Sequence, residues 1–259
     1  MGGGLPKVLG HDIAGEIVEA GASVKEFKVG DEVFGMLGIM AGAYAEYVRT
    51  TTNVLALKPD NITMQEAAAI PLAALTSLQA LRNRANIEEG QRVLITGGSG
   101  GVGLYAIQLA KHFGAHVTTT CSKKSFELVK GVGADHALDY HSQDFTKSNE
   151  TFDIIYDCVG AATFSECAHN LTKNGIFVST ITRPAGLIAS LVKNPFSAKK
   201  DKQVLAVPNR ADMKFLKQLL ESGELRAIID KNFSLADLRA AHEYSETGRA
   251  KGKITIQMV

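Results

Sequence analysis

The chain has 259 residues and a mass of 27.6 kDa, which allows one large domain or two of ordinary size. Its 28 basic and 27 acidic residues leave a net charge of +1, so neither a nucleic acid nor an anionic membrane is expected as a partner. The start, Met1-Gly-Gly-Gly-Leu-Pro, lacks the basic and apolar regions of a secretory signal. Because the three cysteines also suit a reducing compartment, the sequence predicts a cytoplasmic protein.

The first part of the chain predicts short strands. Up to about Lys58, β-branched residues occur in short runs that glycines separate. From Gln65 the pattern becomes helical, with leucines at spacing three from Leu72 to Leu81. No apolar run approaches the roughly 20 residues that a membrane-spanning helix needs.

Strands and helices alternate after Gly90. The predicted strands are 92–96, 116–120, 136–138, 152–156, 176–180 and 203–207. The predicted helices are 102–113, 125–132 and 163–171, ending at Gly114, Gly133 and Gly175. This alternation is typical of right-handed βαβ units, and it predicts an α/β fold with a doubly wound parallel sheet.

The last part of the chain predicts a return to mixed structure. A helix is expected over 212–222, closed by Gly223, followed by a short strand at 227–229. The pattern Ser234-Leu-Ala-Asp237 is a capping box for a helix to about Thr247, and a strand is expected at 253–258. The sequence therefore predicts three segments: a β-rich domain at 1–72, an α/β domain of the nucleotide-binding type at 73–207, and a return segment at 208–259.

The glycine-rich segment after strand 92–96 carries most of the functional information. Gly98, Gly100 and Gly103 form the pattern G-x-G-x-x-G between a predicted strand and a predicted helix. Such glycines permit a tight turn, close approach of a pyrophosphate, and close packing of helix on strand. The segment predicts a dinucleotide site at the helix N-terminus, and the candidate residues are Gly98, Ser99, Gly100, Gly101, Val102 and Gly103.

The residues after strand 116–120 favour NADP(H) over NAD(H). NAD-binding units place an acid here on the ribose 2′-hydroxyl, but this chain has Ser122, Lys123 and Lys124. A hydroxyl and an ammonium would bind a 2′-phosphate, which a carboxylate would repel. The alternative is that the lysines form a solvated helix start.

Several motifs follow one another along the chain. They are Pro6-Lys-Val-Leu-Gly-His-Asp-Ile-Ala-Gly15, Gly42-Ala-Tyr-Ala-Glu-Tyr47, Gly133-Ala-Asp, Tyr156-Asp-Cys-Val-Gly160 and Gly252-Lys253-Ile254. Together with the glycine loop they resemble the medium-chain dehydrogenase/reductase family, most of all its zinc-free quinone oxidoreductases related to zeta-crystallin. The resemblance covers essentially the whole chain, except that family members carry a further N-terminal stretch. It implies a truncated GroES-like β-barrel domain plus a Rossmann domain, and hydride transfer from NADPH to a quinone or an α,β-unsaturated carbonyl.

The same resemblance implies roles for residues outside the glycine loop. Thr76 would lie by the nicotinamide, and Val159, Gly160 and Thr180 would line the cofactor. Ser122 and Lys123, with Tyr140, would hold the 2′-phosphate and adenosine, with Lys124 an equal candidate to Lys123.

Tyr44 is the candidate catalytic residue, as a proton or hydrogen-bond donor, or else a tyrosine that packs in the barrel. Met36, Leu37 and Met40 are either an apolar substrate rim or core.

No metal site is expected from the sequence. His11-Asp12 stands where zinc-dependent relatives carry Gly-His-Glu, but catalytic zinc needs three protein ligands and no cysteine precedes Cys121. Cys158 and Cys167 are expected to be buried small hydrophobes. The alternatives to the quinone or enone reductase are a zinc alcohol dehydrogenase relative and a catalytically idle NADPH-binding protein. The family also implies a homodimer through edge strands of the nucleotide domain.

Overall fold

A computed structural model describes residues 8–38, 41–181 and 198–258. The chain forms two compact units. The first unit combines the chain up to Leu75 with the segment from Val207 onward, and the second comprises Thr76–Ala206. The second unit is thus inserted into the chain of the first.

The first unit contains a three-stranded antiparallel sheet in the order β1-β2-β3. Its small core joins Phe27, Val33 and Leu55. Met36 and Leu37 are also buried, so they belong to the core and not to an open substrate rim, whereas Met40 lies outside the described residues. The strands are β1 Asp12–Glu16, β2 Glu32–Met36 and β3 Leu55–Leu57.

Short helices follow β3. Helix α1 (Met64–Ala68) begins at a capping box, in which Thr63 accepts from the Glu66 backbone and the Glu66 carboxylate accepts from the Thr63 backbone. Helix α2 (Pro71–Leu78) continues into a π-helical segment at Gln79–Ala85. The helical pattern predicted from Gln65 onward is confirmed, although it comprises three short elements.

The second unit contains a six-stranded parallel sheet in the order β6-β5-β4-β7-β8-β9. The chain starts at β4, moves outward through β5 to β6, and then continues on the other side of β4 with β7. This order creates a switch point between β4 and β7, and the predicted doubly wound Rossmann sheet is confirmed. The strands are β4 Arg92–Thr96, β5 His116–Cys121, β6 His136–Asp139, β7 Phe152–Asp157, β8 Leu171–Ser179 and β9 Lys200–Gln203.

Helices connect these strands, and an apolar core lies against them. Side chains of β4, β7 and β8 pack with Cys167 into one buried cluster, as Leu94, Ile155 and Phe177 illustrate. Cys167 therefore is the buried small hydrophobe that the sequence predicted, whereas Cys158 is only partly buried. The helices are α3 Gly101–His112, α4 Phe126–Gly131 and α5 Phe164–Cys167.

The final segment, from Val207 onward, adds helix α6 (Arg210–Ser222), strand β10 (Ile229–Ser234), helix α7 (Leu238–Glu246) and strand β11 (Lys253–Gln257). Strands β10 and β11 pair in parallel as a separate sheet. Gly223 closes α6 in the left-handed conformation at φ 77°, which glycine adopts without strain.

Three sequence-based boundaries were wrong. Helix α5 is only four residues long, and β8 already begins at Leu171, so Gly175 lies inside a strand and does not end a helix. The last strand of the large sheet was expected at 203–207 but β9 covers Lys200–Gln203. The strand expected at 227–229 begins only at Ile229. In each case pairing with a distant neighbouring strand overrides the local pattern.

Candidate active site

The glycine loop joins β4 to α3 at the switch point of the parallel sheet. The Gly98 amide donates to the Thr120 carbonyl at 3.0 Å, and the Gly100 amide donates to the Gly97 carbonyl at 3.0 Å. Gly100 is the N-cap of α3 and has no side chain to cap it. The amides of the first helical turn, at Gly101, Val102 and Gly103, therefore have the orientation and partial positive charge that an anion needs.

Each of the three motif glycines has a different steric surrounding. A Cβ at Gly103 would overlap the Gly97 carbonyl oxygen and would lie 2.7 Å from the Gly98 Cα. A Cβ at Gly98 would overlap the Thr119 hydroxyl, which donates to the Ile95 carbonyl. At Gly100 the nearest atom is the Gly97 carbonyl oxygen, at 3.4 Å. Packing thus requires glycine at positions 98 and 103. At Gly100 the space in front of the backbone is open, and this cradle could hold a side chain or a ligand.

Asp157, at the carboxyl end of β7, connects this loop to the next strand ends. It is 1% exposed, and its Oδ1 accepts from the Thr96 hydroxyl at 2.6 Å and from the Ala161 amide at 2.9 Å. Its main-chain carbonyl accepts from the Thr180 amide at 3.1 Å. Val159 packs against Gly97, where a Cβ would overlap its side chain. Val159 thus lies beside the glycine loop, and Thr180 is bonded to Asp157 at the end of β7.

Thr76 lies on α2 and is 8% exposed. The hydroxyl of the next residue, Ser77, donates to the carbonyl of Val102 in the first turn of α3, at 2.9 Å. This bond fixes the start of the second unit to the start of the helix that follows the glycine loop. Thr76 is therefore held close to the predicted dinucleotide site.

The predicted 2′-phosphate residues lie at the carboxyl ends of β5 and β6. Ser122 is the N-cap residue of a 3₁₀ turn, although its side chain makes no capping hydrogen bond, and Lys123 and Lys124 in this turn are exposed. Tyr140 follows β6 with 57% exposure. The Tyr140 amide donates to the Cys121 carbonyl at 3.4 Å, so the two strand ends are adjacent.

Asp139 is an acidic neighbour of this site that sequence reasoning did not assign. It pairs in register with Cys121 at the end of β5. Burial raises the pKa of the Cys121 thiol to about 11, and the negative charge of Asp139 contributes to this rise. The position of Asp139 beside Cys121 follows from the parallel register of β5 and β6, which the sequence alone does not give.

Tyr44, the predicted catalytic residue, belongs to the first unit. Its backbone amide donates to the Leu9 carbonyl at 2.9 Å, and its ring packs edge-on against His242 with centroids 5.9 Å apart. Burial raises the pKa of its phenol, and the negative charge of Asp12 raises it further. Tyr44 is therefore a neutral phenol at physiological pH, able to donate a hydrogen bond.

The described residues do not fit a zinc site. Within these residues no three His, Cys, Asp or Glu side chains lie close enough together to hold a metal ion. His11 donates from Nδ1 to the Gly38 carbonyl at 3.3 Å, as expected for a turn residue. Asp12 accepts from the Leu72 amide at 2.7 Å and faces Lys253 at 3.4 Å. Both side chains thus have structural partners, and the absence of a metal stays a prediction.

Comparison with known proteins agrees with both units. Two family models match, the alcohol dehydrogenase GroES-like domain at residues 2–60 and the zinc-binding dehydrogenase domain at 132–256. The chloroplast envelope quinone oxidoreductase homolog of Arabidopsis thaliana is 35% identical over 98% of this chain and 80% of its own length. The 2-methylene-furan-3-one reductase of Solanum lycopersicum is 38% identical over 98% of this chain and 64% of its length.

A solved structure gives the same result. The quinone oxidoreductase from Coxiella burnetii superposes with a TM-score of 0.88 at 34% identity, over 97% of this chain and 79% of its own.

In the part of the chain that the structure describes, no helix is both long and apolar enough to cross a membrane.

The comparisons also correct one prediction. Relatives named as chloroplastic or mitochondrial proteins contradict the predicted cytoplasmic location. The prediction was wrong because a low cysteine count reports only the redox environment and does not identify the compartment. The matches over nearly the whole length, together with the fold and the glycine loop, show that the chain is an NAD(P)H-dependent oxidoreductase and belongs to the medium-chain dehydrogenase/reductase family.

Proposed function

We propose that this protein transfers hydride from NADPH to a quinone or to the carbon–carbon double bond of an α,β-unsaturated carbonyl compound. The observation that carries the proposal is the glycine loop at the switch point, where the first turn of α3 begins at an uncapped glycine. Relatives named quinone oxidoreductase, 2-methylene-furan-3-one reductase and alkenal/one oxidoreductase support this substrate class. A nicotinamide supplies the hydride when it is bound.

In this proposal the protein's own residues bind and orient the dinucleotide. The loop from Gly98 to Gly103 holds the pyrophosphate on backbone amides. Val159, Gly160 and Thr180 line the side of β7 and β8, and Thr76 lies toward the nicotinamide. The supporting contacts are the Thr180 amide on the Asp157 carbonyl and the Ser77 hydroxyl on the Val102 carbonyl.

A preference for NADPH over NADH is the finer part of the proposal. Ser122 occupies the place where NAD-binding units carry an acid, and two exposed lysines follow it. Asp139 pairs in register with Cys121, and a carboxylate near the 2′-phosphate would repel it, so the preference requires that the lysines reach the phosphate directly. One relative, 33% identical, is named an NADPH-dependent alkenal/one oxidoreductase.

For Tyr44 we propose a hydrogen bond to the oxygen of the reduced acceptor. Its raised phenol pKa keeps the proton in place at neutral pH, which a hydrogen-bond donor requires. The change Tyr44→Phe removes the hydroxyl and keeps the ring that packs against His242. We expect kcat to fall about tenfold or more with no change in the dissociation constant of NADPH. An unchanged kcat would assign Tyr44 to packing alone.

The homodimer stays a prediction. In the second unit β9 is an edge strand of the large sheet and carries Lys200, Asp201 and Lys202. Charged side chains oppose edge-to-edge pairing of strands, so a dimer through β9 would need complementary ion pairs. Light scattering coupled to size-exclusion chromatography measures the mass and tests this.

The first experiment is a titration of the purified chain with NADPH and with NADH, followed by turnover assays with a quinone and an enone. Tighter binding of NADPH and oxidation of NADPH by either acceptor support the proposal. Equal binding of the two nucleotides contradicts the NADPH preference. Binding without turnover on any acceptor would favour a catalytically idle NADPH-binding protein.

A further inference from the structure

We propose that Asp157 is a positioning residue that holds the segment Val159–Ala161 against the glycine loop, so that both present their backbone to the nicotinamide half of the cofactor. The proposal rests on the proposed function, because it assigns a role in binding the same dinucleotide. In this role Asp157 contacts protein groups and not the cofactor, and it acts on the cofactor through the segments that it holds.

The first observation is the convergence of donors on one carboxylate oxygen. Asp157 Oδ1 accepts from the Thr96 hydroxyl at 2.6 Å, from the Ala161 amide at 2.9 Å and from the Val159 amide at 3.4 Å. Thr96 is the last residue of β4 and directly precedes the glycine loop. One buried side chain thus connects the two chain segments that meet at the switch point.

The second observation is that the same residue fixes the next strand end through its main chain. The Thr180 amide donates to the Asp157 carbonyl at 3.1 Å, and the Thr180 hydroxyl donates to the Cys158 carbonyl at 3.1 Å. The Thr96 hydroxyl in turn accepts from the Cys158 amide at 3.2 Å. The ends of β4, β7 and β8 are therefore held as one hydrogen-bonded unit.

The third observation concerns the other oxygen of this carboxylate. Asp157 is 1% exposed, and among the described residues Oδ2 has no hydrogen-bond partner. A buried carboxylate oxygen without a partner costs stability, so its presence calls for an explanation other than packing. If the role of Asp157 were purely structural, a neutral side chain with one hydrogen-bond acceptor would serve equally well.

Asp153 provides a matched control on the same strand. It lies near the amino end of β7, where its Oδ2 accepts from the Arg92 amide at 2.9 Å and its Oδ1 accepts from the Thr172 hydroxyl at 3.0 Å. Its partners are thus of the same kind, a backbone amide and a threonine hydroxyl. Because it lies at the opposite end of the strand from the glycine loop, its removal tests for loss of sheet stability alone.

The test compares Asp157→Ala, Asp157→Asn and Asp153→Ala in two titrations, one with NADPH and one with 2′,5′-ADP, which carries only the adenosine half. We expect Asp157→Ala to raise the dissociation constant of NADPH about tenfold, because the released segment must be ordered again when the cofactor binds, and to leave that of 2′,5′-ADP unchanged. Asp157→Asn keeps an acceptor at Oδ1, so we expect a smaller rise, about threefold. Asp153→Ala should lower the melting temperature and change neither constant.

Amide hydrogen exchange gives a readout without nucleotide. Exchange at Ala161 should accelerate in Asp157→Ala and remain slow in Asp153→Ala. Equal loss of both nucleotides in Asp157→Ala, or no loss of NADPH affinity, would overturn the positioning role. If Asp157→Ala does not fold, Asp157→Asn decides, and a titration identical to the unchanged protein overturns the proposal. If the unchanged protein binds neither nucleotide, the proposed function itself fails and this role with it.

Discussion

Substitution of Gly100 by alanine separates the binding role of the glycine loop from its role in folding. Gly100 has φ −81° and ψ 171°, an extended conformation that alanine adopts without strain. The added Cβ would meet only the Gly97 carbonyl oxygen, at 3.4 Å. A glycine-to-alanine change at such a position stabilises a protein by about 0.4–1 kcal/mol, because it restricts the unfolded chain. We therefore expect the melting temperature of Gly100→Ala to stay the same or to rise slightly.

The effect on the cofactor should be opposite. The new methyl group would occupy the cradle in front of the first-turn amides of α3, where the pyrophosphate is expected to lie. A hydrogen bond to a charged group contributes about 1.5–3 kcal/mol, so the loss of one such contact weakens binding by about 10- to 100-fold. The assay is the increase in NADPH fluorescence on binding, measured at a temperature well below unfolding.

Gly103→Ala is the contrasting variant. Its Cβ would overlap the Gly97 carbonyl oxygen, so α3 must move away from β4, and we expect loss of stability together with loss of binding. If Gly100→Ala bound NADPH as tightly as the unchanged protein, the loop would not be the pyrophosphate site. If it unfolded, the steric reasoning from the loop geometry would be wrong.

Three further outcomes are expected. The double change of Lys123 and Lys124 to alanine should weaken NADPH binding about tenfold or more and leave NADH binding unchanged, as parallel titrations would measure. Burial acts to raise the pKa of Asp135, but hydrogen bonds from Lys111 and from a backbone amide outweigh it and hold this pKa below its ordinary value of 3.8. The ionised Asp135 therefore stabilises the fold above pH 3.8, and this stabilisation is lost as the pH falls through the folded-state pKa. Urea midpoints measured from pH 7 to pH 2.5 should therefore fall less steeply in Asp135→Asn. Asn209→Ala removes the N-cap of α6 and should lower the free energy of unfolding by about 0.5–2 kcal/mol, measured by urea titration at pH 7.

The sequence predicted the large sheet well because its strands are short and apolar and because glycines end the helices between them. Gly114 ends the turn after α3 with φ 77°, as its position in the pattern indicates. Gly175 carries the same local signal but lies inside β8, which pairs with β7 from Leu171 onward with an irregular register. A glycine marks either the end of a helix or a bulge in a strand, and only the partner strand distinguishes the two.

The candidate site shows the same division between local and distant signals. The glycine loop could be found from the sequence because the turn, the helix start and the phosphate contacts all come from six consecutive residues. Asp139 and Asp157 were not assigned roles, because their significance depends on partners in other strands. Asp157 meets Thr96, 61 residues away in the chain, and Asp139 meets Cys121 through strand register.

These two acids also explain why cofactor choice and cofactor geometry need different experiments. Asp139 pairs in register with Cys121, the residue before Ser122, so we expect its charge to act on the choice between NADPH and NADH. Asp157 lies at the end of β7, where its bonds to Thr96 and Ala161 act on the shape of the loops around the other half of the cofactor. A change at Lys123 and Lys124 should thus alter the ratio of the NADPH and NADH constants, whereas a change at Asp157 should raise both together. If the changes at the two lysines and at Asp157 altered the ratio of the NADPH and NADH constants equally, the ends of β5 and β7 would be energetically coupled. The proposal that these two sites have separate roles would then be wrong.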